Sequence, residues 1–115
     1  MAAVALNKFR TIRVGLSTNL VGIYTCPIGV ASIVILSQVT NISNGISSVT
    51  AIHSRSTEPQ ADFKFANQVP IPPNDNYSLV SDGRLALETN DVIKIQGSDN
   101  GKLELLLSVL ETAKQ

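Results

Sequence analysis

The sequence predicts an all-β fold, an antiparallel β-sandwich of jelly-roll or Greek-key type with about eight strands. Three observations predict it. Apolar residues recur with a period of two, or in short runs rich in Val and Ile, which is the mark of strands. Turn residues punctuate the chain at roughly the 8–12-residue spacing of sandwiches and barrels. No convincing long helix and no internal repeat is present. With 115 residues the chain fits a single domain spanning 1–115, large enough to bury roughly two thirds of its unfolded surface.

The first strand is read from Ile12, Val14 and Leu16, which alternate with Thr11, Arg13, Gly15 and Ser17. Val21 to Thr25 follows, ended by Cys26-Pro27-Ile28-Gly29, since proline cannot donate to a ladder and glycine supplies a turn. Ala31 to Ile42 (ASIVILSQVTNI) holds four consecutive apolar residues and reads as a central strand buried on both faces. Asn44-Gly45 then signals a hairpin, with Ser48 to Ser54 as its return strand. On that strand Val49, Ala51 and His53 share one face, and Ser48, Thr50, Ile52 and Ser54 the other. Arg55 to Gln60 is a polar loop. Asp62 to Phe65 alternates with both phenylalanines expected inward. The segment Gln68 to Pro73 is extended, and its prolines place it at a sheet edge or in a crossing between sheets.

From Ile71 to Glu111 the chain reads as an antiparallel meander. Leu85–Leu87, Val92–Ile95 and Leu103–Leu110 are its apolar runs; Ser81-Asp82-Gly83, Glu88 to Asp91 and Ser98 to Gly101 are its turns. The last run fits a helix face through Leu103, Leu106, Leu107 and Leu110, and a strand face through Leu103, Leu105, Leu107 and Val109. Asn100-Gly101 directly before it favours a strand, paired as a hairpin with Val92 to Gln96.

Composition narrows the function. Charged residues make up 16% of the chain, against about 25% in average soluble proteins. Either a neighbour covers part of the surface, or the surface is rich in Ser, Asn and Thr. Nine basic residues balance nine acidic ones with no basic cluster, so the electrostatic footprint of a nucleic-acid binder is missing. No apolar run is long enough to span a bilayer, and the opening MAAVALNKFR lacks the pattern of a secretory signal. Neither a nucleic-acid nor a membrane partner is expected, and folding is expected in a cytoplasm.

Catalytic material is sparse. His53 is the single histidine, and nothing in its spacing to a serine and a carboxylate demands a triad. Cys26 is the single cysteine, which excludes an internal disulfide framework and suggests a small core residue. Asn74-Asp75-Asn76, Asp82, Asp91 and Asp99-Asn100 offer oxygen ligands, but their spacing matches no calcium loop, and Asx side chains ordinarily bond turn backbone. Ser98-Asp99-Asn100 lacks the Ser-x-x-Lys partner of a β-lactamase. The glycines lie singly at turns, not in a phosphate-binding loop. Asn41-Ile42-Ser43 and Asn76-Tyr77-Ser78 match the glycosylation pattern without a secretion signal to use it. With no Trp and 4% aromatics, sugar stacking has little support. No catalytic residue, cofactor or metal site is expected.

Beyond these residue-level readings, the chain resembles small virion structural proteins of tailed phages, especially the myovirus-type phages of marine cyanobacteria. The resemblance runs through Leu20-Val21-Gly22-Ile23-Tyr24-Thr25-Cys26-Pro27-Ile28-Gly29 and Ile33-Val34-Ile35-Leu36-Ser37-Gln38-Val39-Thr40-Asn41. It continues in Val69-Pro70-Ile71-Pro72-Pro73-Asn74-Asp75, Arg84 to Lys94 and Leu107 to Thr112, and covers most of the chain. Asn90 stands where such proteins often carry glycine; Asn also tolerates left-handed backbone. The resemblance implies a non-enzymatic part of the virion, a homo-oligomer assembled in the host bacterial cytoplasm with itself and other virion proteins. Capsid decoration or cementing is the leading role; neck, tail or baseplate, or a glycan- or receptor-binding fibre module, are the alternatives. The surfaces expected to meet a partner are the Val49-Ala51-His53 face, the loop beginning at Arg55, the prolines Pro70, Pro72 and Pro73, and the row of Leu106 and Leu110.

Overall fold

The computed structural model describes residues 7–59, 61–80 and 84–113, so the expected turn at Ser81-Asp82-Gly83, Gln60 and the start of the chain lie outside the described residues. Among the described residues nine strands form two antiparallel sheets: β1 (Asn7–Gly15), β2 (Val21–Thr25), β3 (Val30–Asn41), β4 (Ser47–Ser54), β5 (Asp62–Ile71), β6 (Asn76–Ser78), β7 (Leu85–Leu87), β8 (Val92–Gly97) and β9 (Leu103–Ala113). One sheet has the order β1-β9-β3-β6, with β7 beside β6 on the same edge of β3; the other has the order β2-β8-β4-β5. If β6 and β7 are counted as one broken strand, this is the eight-stranded double Greek key of a jelly roll. Among the described residues there is no helix.

The strand assignments hold, including β9, but two pairings do not. Asn44-Gly45 closes no hairpin: β3 lies in the first sheet, β4 in the second, and β4 pairs with β5 and β8. The meander is likewise absent. Strand β7 pairs with β3, β8 with β2 and β4, and β9 with β1 and β3. The chain changes sheet at Asn44-Gly45, between β7 and β8, and between β8 and β9. A short turn looks the same in sequence whether it reverses within a sheet or crosses the sandwich, and β9 finds its partners across a long loop, as Ile12 opposite Leu107 illustrates.

The β3–β4 crossing is fixed by Asn41, which is fully buried. Its Nδ2 donates to the carbonyls of Gly45 (2.8 Å) and Ile71 (2.9 Å). Its Oδ1 accepts from the backbone N–H (2.9 Å) and hydroxyl (2.7 Å) of Ser43. This candidate glycosylation acceptor is therefore a structural clasp with no accessible amide.

The core fills the gap between sheets. Strand β9 contributes Leu103, Leu105, Leu107 and Val109, and β3 contributes Val34 and Val39; Val49, Ala51, Ile93, Ile95, Tyr24 and Cys26 meet them from the other sheet and its turns. Strand β3 is central but not buried on both faces. A bulge between Val34 and Leu36 leaves Ile35 unpaired, and both Ile35 and Leu36 are exposed. Phe63 also departs from expectation. It lies near the start of β5, where it is exposed, while Phe65 packs against the core. The proline segment is an edge as expected: β5 ends the second sheet, runs through Gln68 in left-handed backbone (φ 47°), and takes in Pro70 before Pro72-Pro73 lead to the first sheet.

Candidate functional site

Two polar clusters and one apolar face stand out. The first cluster is built around Asp91, at the entry to β8, whose side chain is only 2% exposed. Oδ1 accepts from Arg55 Nε at 2.9 Å, and Oδ2 from Arg55 Nη2 at 2.6 Å, His53 Nε2 at 2.9 Å and the Glu88 backbone N–H at 2.9 Å. Burial alone would raise the carboxyl's pKa; the Arg55 fork, the Glu88 N–H and His53 outweigh it and hold Asp91 well below the usual carboxylate range. The same hydrogen bond with Asp91 keeps the Arg55 guanidinium firmly charged. The turn is locked from the other side as well: Asn90 N–H donates to the Cys26 carbonyl and Cys26 N–H to the Asp91 carbonyl, both at 2.8 Å. Asn90 is left-handed, with φ 71°, the conformation the glycine comparison anticipated.

The second cluster joins Tyr24, Glu111, Ser32 and Arg10. Tyr24 donates to Glu111 Oε2 at 2.5 Å and sits 2.7 Å from the Ser32 hydroxyl. Arg10 Nη1 lies 3.5 Å from the same carboxylate and 6.0 Å above the Tyr24 ring. Burial, reinforced by the bond to Glu111, pushes the Tyr24 phenol above its ordinary range. Both clusters staple one sheet to the other or a turn to a strand. Both oxygens of Asp91 and Oε2 of Glu111 are engaged by protein donors.

Against these clusters the expected partner residues divide. Val49 and Ala51 face the core and are fully buried, so they have no surface to offer. Reading alternate residues on β4 gave the right grouping but the wrong side. Long neighbours on β5 and β8, such as Lys64 and Lys94 opposite Ile52, cover its outer face. His53 and Arg55 are engaged with Asp91. Pro70, Pro72 and Pro73 are exposed. Leu106 (38% exposed) and Leu110 lie on the outer face of the first sheet.

That face is where register assembles residues far apart in sequence. Phe9 pairs with Leu110, Leu110 with Ile33, and Ile33 with Ala86, so one row of apolar side chains crosses four strands. The next row is Thr11, Ser108 and Leu36, with Ile35 in the bulge; the row after that is Arg13, Leu106, Gln38 and Ser78. Phe9 is 72% exposed and Leu36 39%. Beside the third row, Arg13, Gly15, Thr40, Glu104 and Leu106 frame an open hollow of about 470 Å3. Phe9, Ile33 and Leu36 are missed by the sequence reading. Carrying the period of two back from Thr11 would have placed Phe9 on this face.

The oxygen ligands considered for calcium serve the backbone and neighbouring hydroxyls. Asp75 Oδ1 accepts from Asn76 N–H, Asn100 Oδ1 from Thr18 N–H, and Asp99 Oδ2 from Ser47 and Ser98. Among the described residues no cluster of three His, Cys, Asp or Glu could hold a metal ion. Asp82 lies outside them.

No protein-family model and no curated protein matches the chain. Solved structures do share its fold. A chain of the Bacillus endospore appendages, a family of disulfide-linked pili, has a TM-score of 0.57 at 10% identity, covering 100% of this chain and 98% of its own. A chain of the acid-stable capsid of Helicobacter pylori bacteriophage KHP30 has a TM-score of 0.55 at 11% identity, covering 96% and 90%. A chain of the T13 viral particle of IBDV has a TM-score of 0.51 at 10% identity, covering 96% of this chain and 32% of its own. The fold is thus one that capsid and appendage subunits use.

Proposed function

We propose that this chain is a non-enzymatic structural protein of a phage virion, an oligomeric β-sandwich that decorates or cements the capsid. The observation that carries the reading is the apolar outer face of the first sheet, where, among the described residues, Phe9, Leu36 and Leu106 are exposed and Ile33 and Leu110 half-buried. A lone sandwich with such a face is a building block. The resemblance of the sequence to phage virion proteins favours a virion over other assemblies. The jelly roll shared over nearly the whole length with the KHP30 capsid chain fits that reading, as it fits the appendage chain. Assembly by disulfides, as in the appendage pili, has no donor in the folded chain: Cys26 is fully buried and its thiol donates to the Val30 carbonyl at 3.3 Å.

The partners in this reading are further copies of the chain and other virion proteins. The cyanobacterial myovirus type rests on the sequence resemblance. The test is mass spectrometry of purified particles from the phage that encodes the chain, followed by electron microscopy with a labelled copy. Label on the capsid shell supports decoration. Label confined to the neck, tail or baseplate moves the chain there, and absence from particles removes the virion role.

A further inference from the structure

The outer face of the first sheet is self-complementary, and we infer that it is a two-fold contact between two copies of this chain, with Phe9 as its central knob. The inference rests on the structural reading above and names the surface and its occupant. Along β1 the outward residues are Phe9, Thr11 and Arg13; along β9 the residues opposite them are Leu110, Ser108 and Leu106. The knob and the hollow therefore lie on opposite sides of the Thr11–Ser108 row. A two-fold axis in the plane of the contact, running across the strands through that row, leaves each strand facing its own copy but reverses its direction. Phe9 then faces the Arg13 side of the partner's hollow, and Leu110 faces Leu106 of the second copy. Ser108 faces its own equivalent, as does Leu36. Protrusion meets recess twice, which is the requirement for an isologous interface.

Chemistry agrees with the shape. The three rows hold apolar side chains and uncharged hydroxyl and amide groups around one cation, Arg13; the two rows beyond them add Asn7, Thr112 and Ala31 at one end and Gly15, Thr40 and one anion, Glu104, at the other, where Glu104 faces Thr112 of the second copy. In the two-fold arrangement each Arg13 faces an aromatic ring, not another cation, a favourable pairing for a guanidinium. Size agrees as well. Nine residues of strand and four strands abreast span roughly 30 Å by 19 Å. A pair then buries about 1,100 Å2, just above the ~1,000 Å2 that a specific contact needs. Packing of the two faces at about 10 Å makes a second sandwich layer outside the first.

The test uses the full chain in solution. Sedimentation equilibrium across a concentration series should give a dimer. Phe9→Glu and Leu106→Glu should each raise its dissociation constant at least about tenfold, while Ile28→Glu, which alters the exposed β2–β3 turn, leaves it unchanged. Circular dichroism should show all three variants folded. A second readout needs no loss of binding: Ser108→Cys treated with a bismaleimide spanning about 10 Å should cross-link to a dimer, whereas the parent chain, with Cys26 buried, should not. A monomer throughout the series, a dimer indifferent to Phe9→Glu and Leu106→Glu, or failure of Ser108→Cys to cross-link overturns the inference. A monomer that is nevertheless found on particles overturns it while leaving the virion role intact. A dimer absent from particles supports the contact and removes the role.

Discussion

Replacing Asp91 by Ala should be among the most damaging single changes in the molecule. Its carboxylate, 2% exposed, accepts four hydrogen bonds, two from Arg55 and one each from His53 and the Glu88 backbone. Removing one partner of a buried ionic network costs about 3–5 kcal/mol. The guanidinium of Arg55 is partly open to solvent and keeps Glu88 at 3.5 Å, so we expect the lower end, about 3 kcal/mol. For a domain of this size that lowers the melting temperature by roughly 10 °C. The sign with pH follows from linkage. Asp91 takes up a proton far less readily folded than unfolded. Its contribution is complete above the unfolded carboxylate value near 3.9 and is lost as pH falls from there toward its folded value. Asp62, held below its ordinary range first by Ser54 and further by Lys94, acts in the same direction. Urea denaturation of the parent and Asp91→Ala at pH 7 and at steps below pH 4 measures both effects. The gap between the two proteins should be widest at pH 7 and narrow on acidification. A loss below about 0.5 kcal/mol at pH 7, within the range of an ordinary surface change, refutes the view that Asp91 anchors this turn.

Asn41→Ala takes the Nδ2 donor from the buried Ile71 carbonyl, while Gly45 keeps the Ser43 hydroxyl, and should cost about 1–3 kcal/mol, read by thermal melting; a neutral result means the β3–β4 crossing does not depend on that clasp. Tyr24 should stay protonated past pH 10, where a free phenol ionises. Because its folded pKa is raised, its contribution is complete below the unfolded value and is lost as pH rises beyond it. Ultraviolet titration of a Tyr77→Phe variant isolates Tyr24, and ionisation near 10 contradicts the buried bond to Glu111. Leu107→Ala, which empties a buried core position on β9, should cost about 3 kcal/mol, and equal stability in denaturant places Leu107 outside the core.

Much of the fold was legible in the residues. Period-two alternation marked Ile12 and Val14, and the row Leu103, Leu105, Leu107 and Val109 identified β9 as a strand with one buried face. What stayed hidden was pairing. Local turn chemistry at Asn44-Gly45 and Asn100-Gly101 specifies a reversal, not which sheet receives the next strand, and the jelly roll sends it to the other one. Strand β6 went unread because three residues, with Tyr77 alone turned inward, carry no period. The exposed apolar face was half legible. Leu106 and Leu110 were placed because β9 is apolar on both sides. Phe9 and Ile33 join them only through register across a long loop. Val49 and Ala51 misled because β4 is central, so its apolar row is core.

A density map of the purified phage decides whether this sandwich builds a particle by covering the outer face of its first sheet. A copy of the chain is expected at symmetric positions on the shell, with Phe9, Leu106 and Leu110 buried against a second copy. Particles that lack the chain, or that carry it with this face open to solvent, contradict this arrangement.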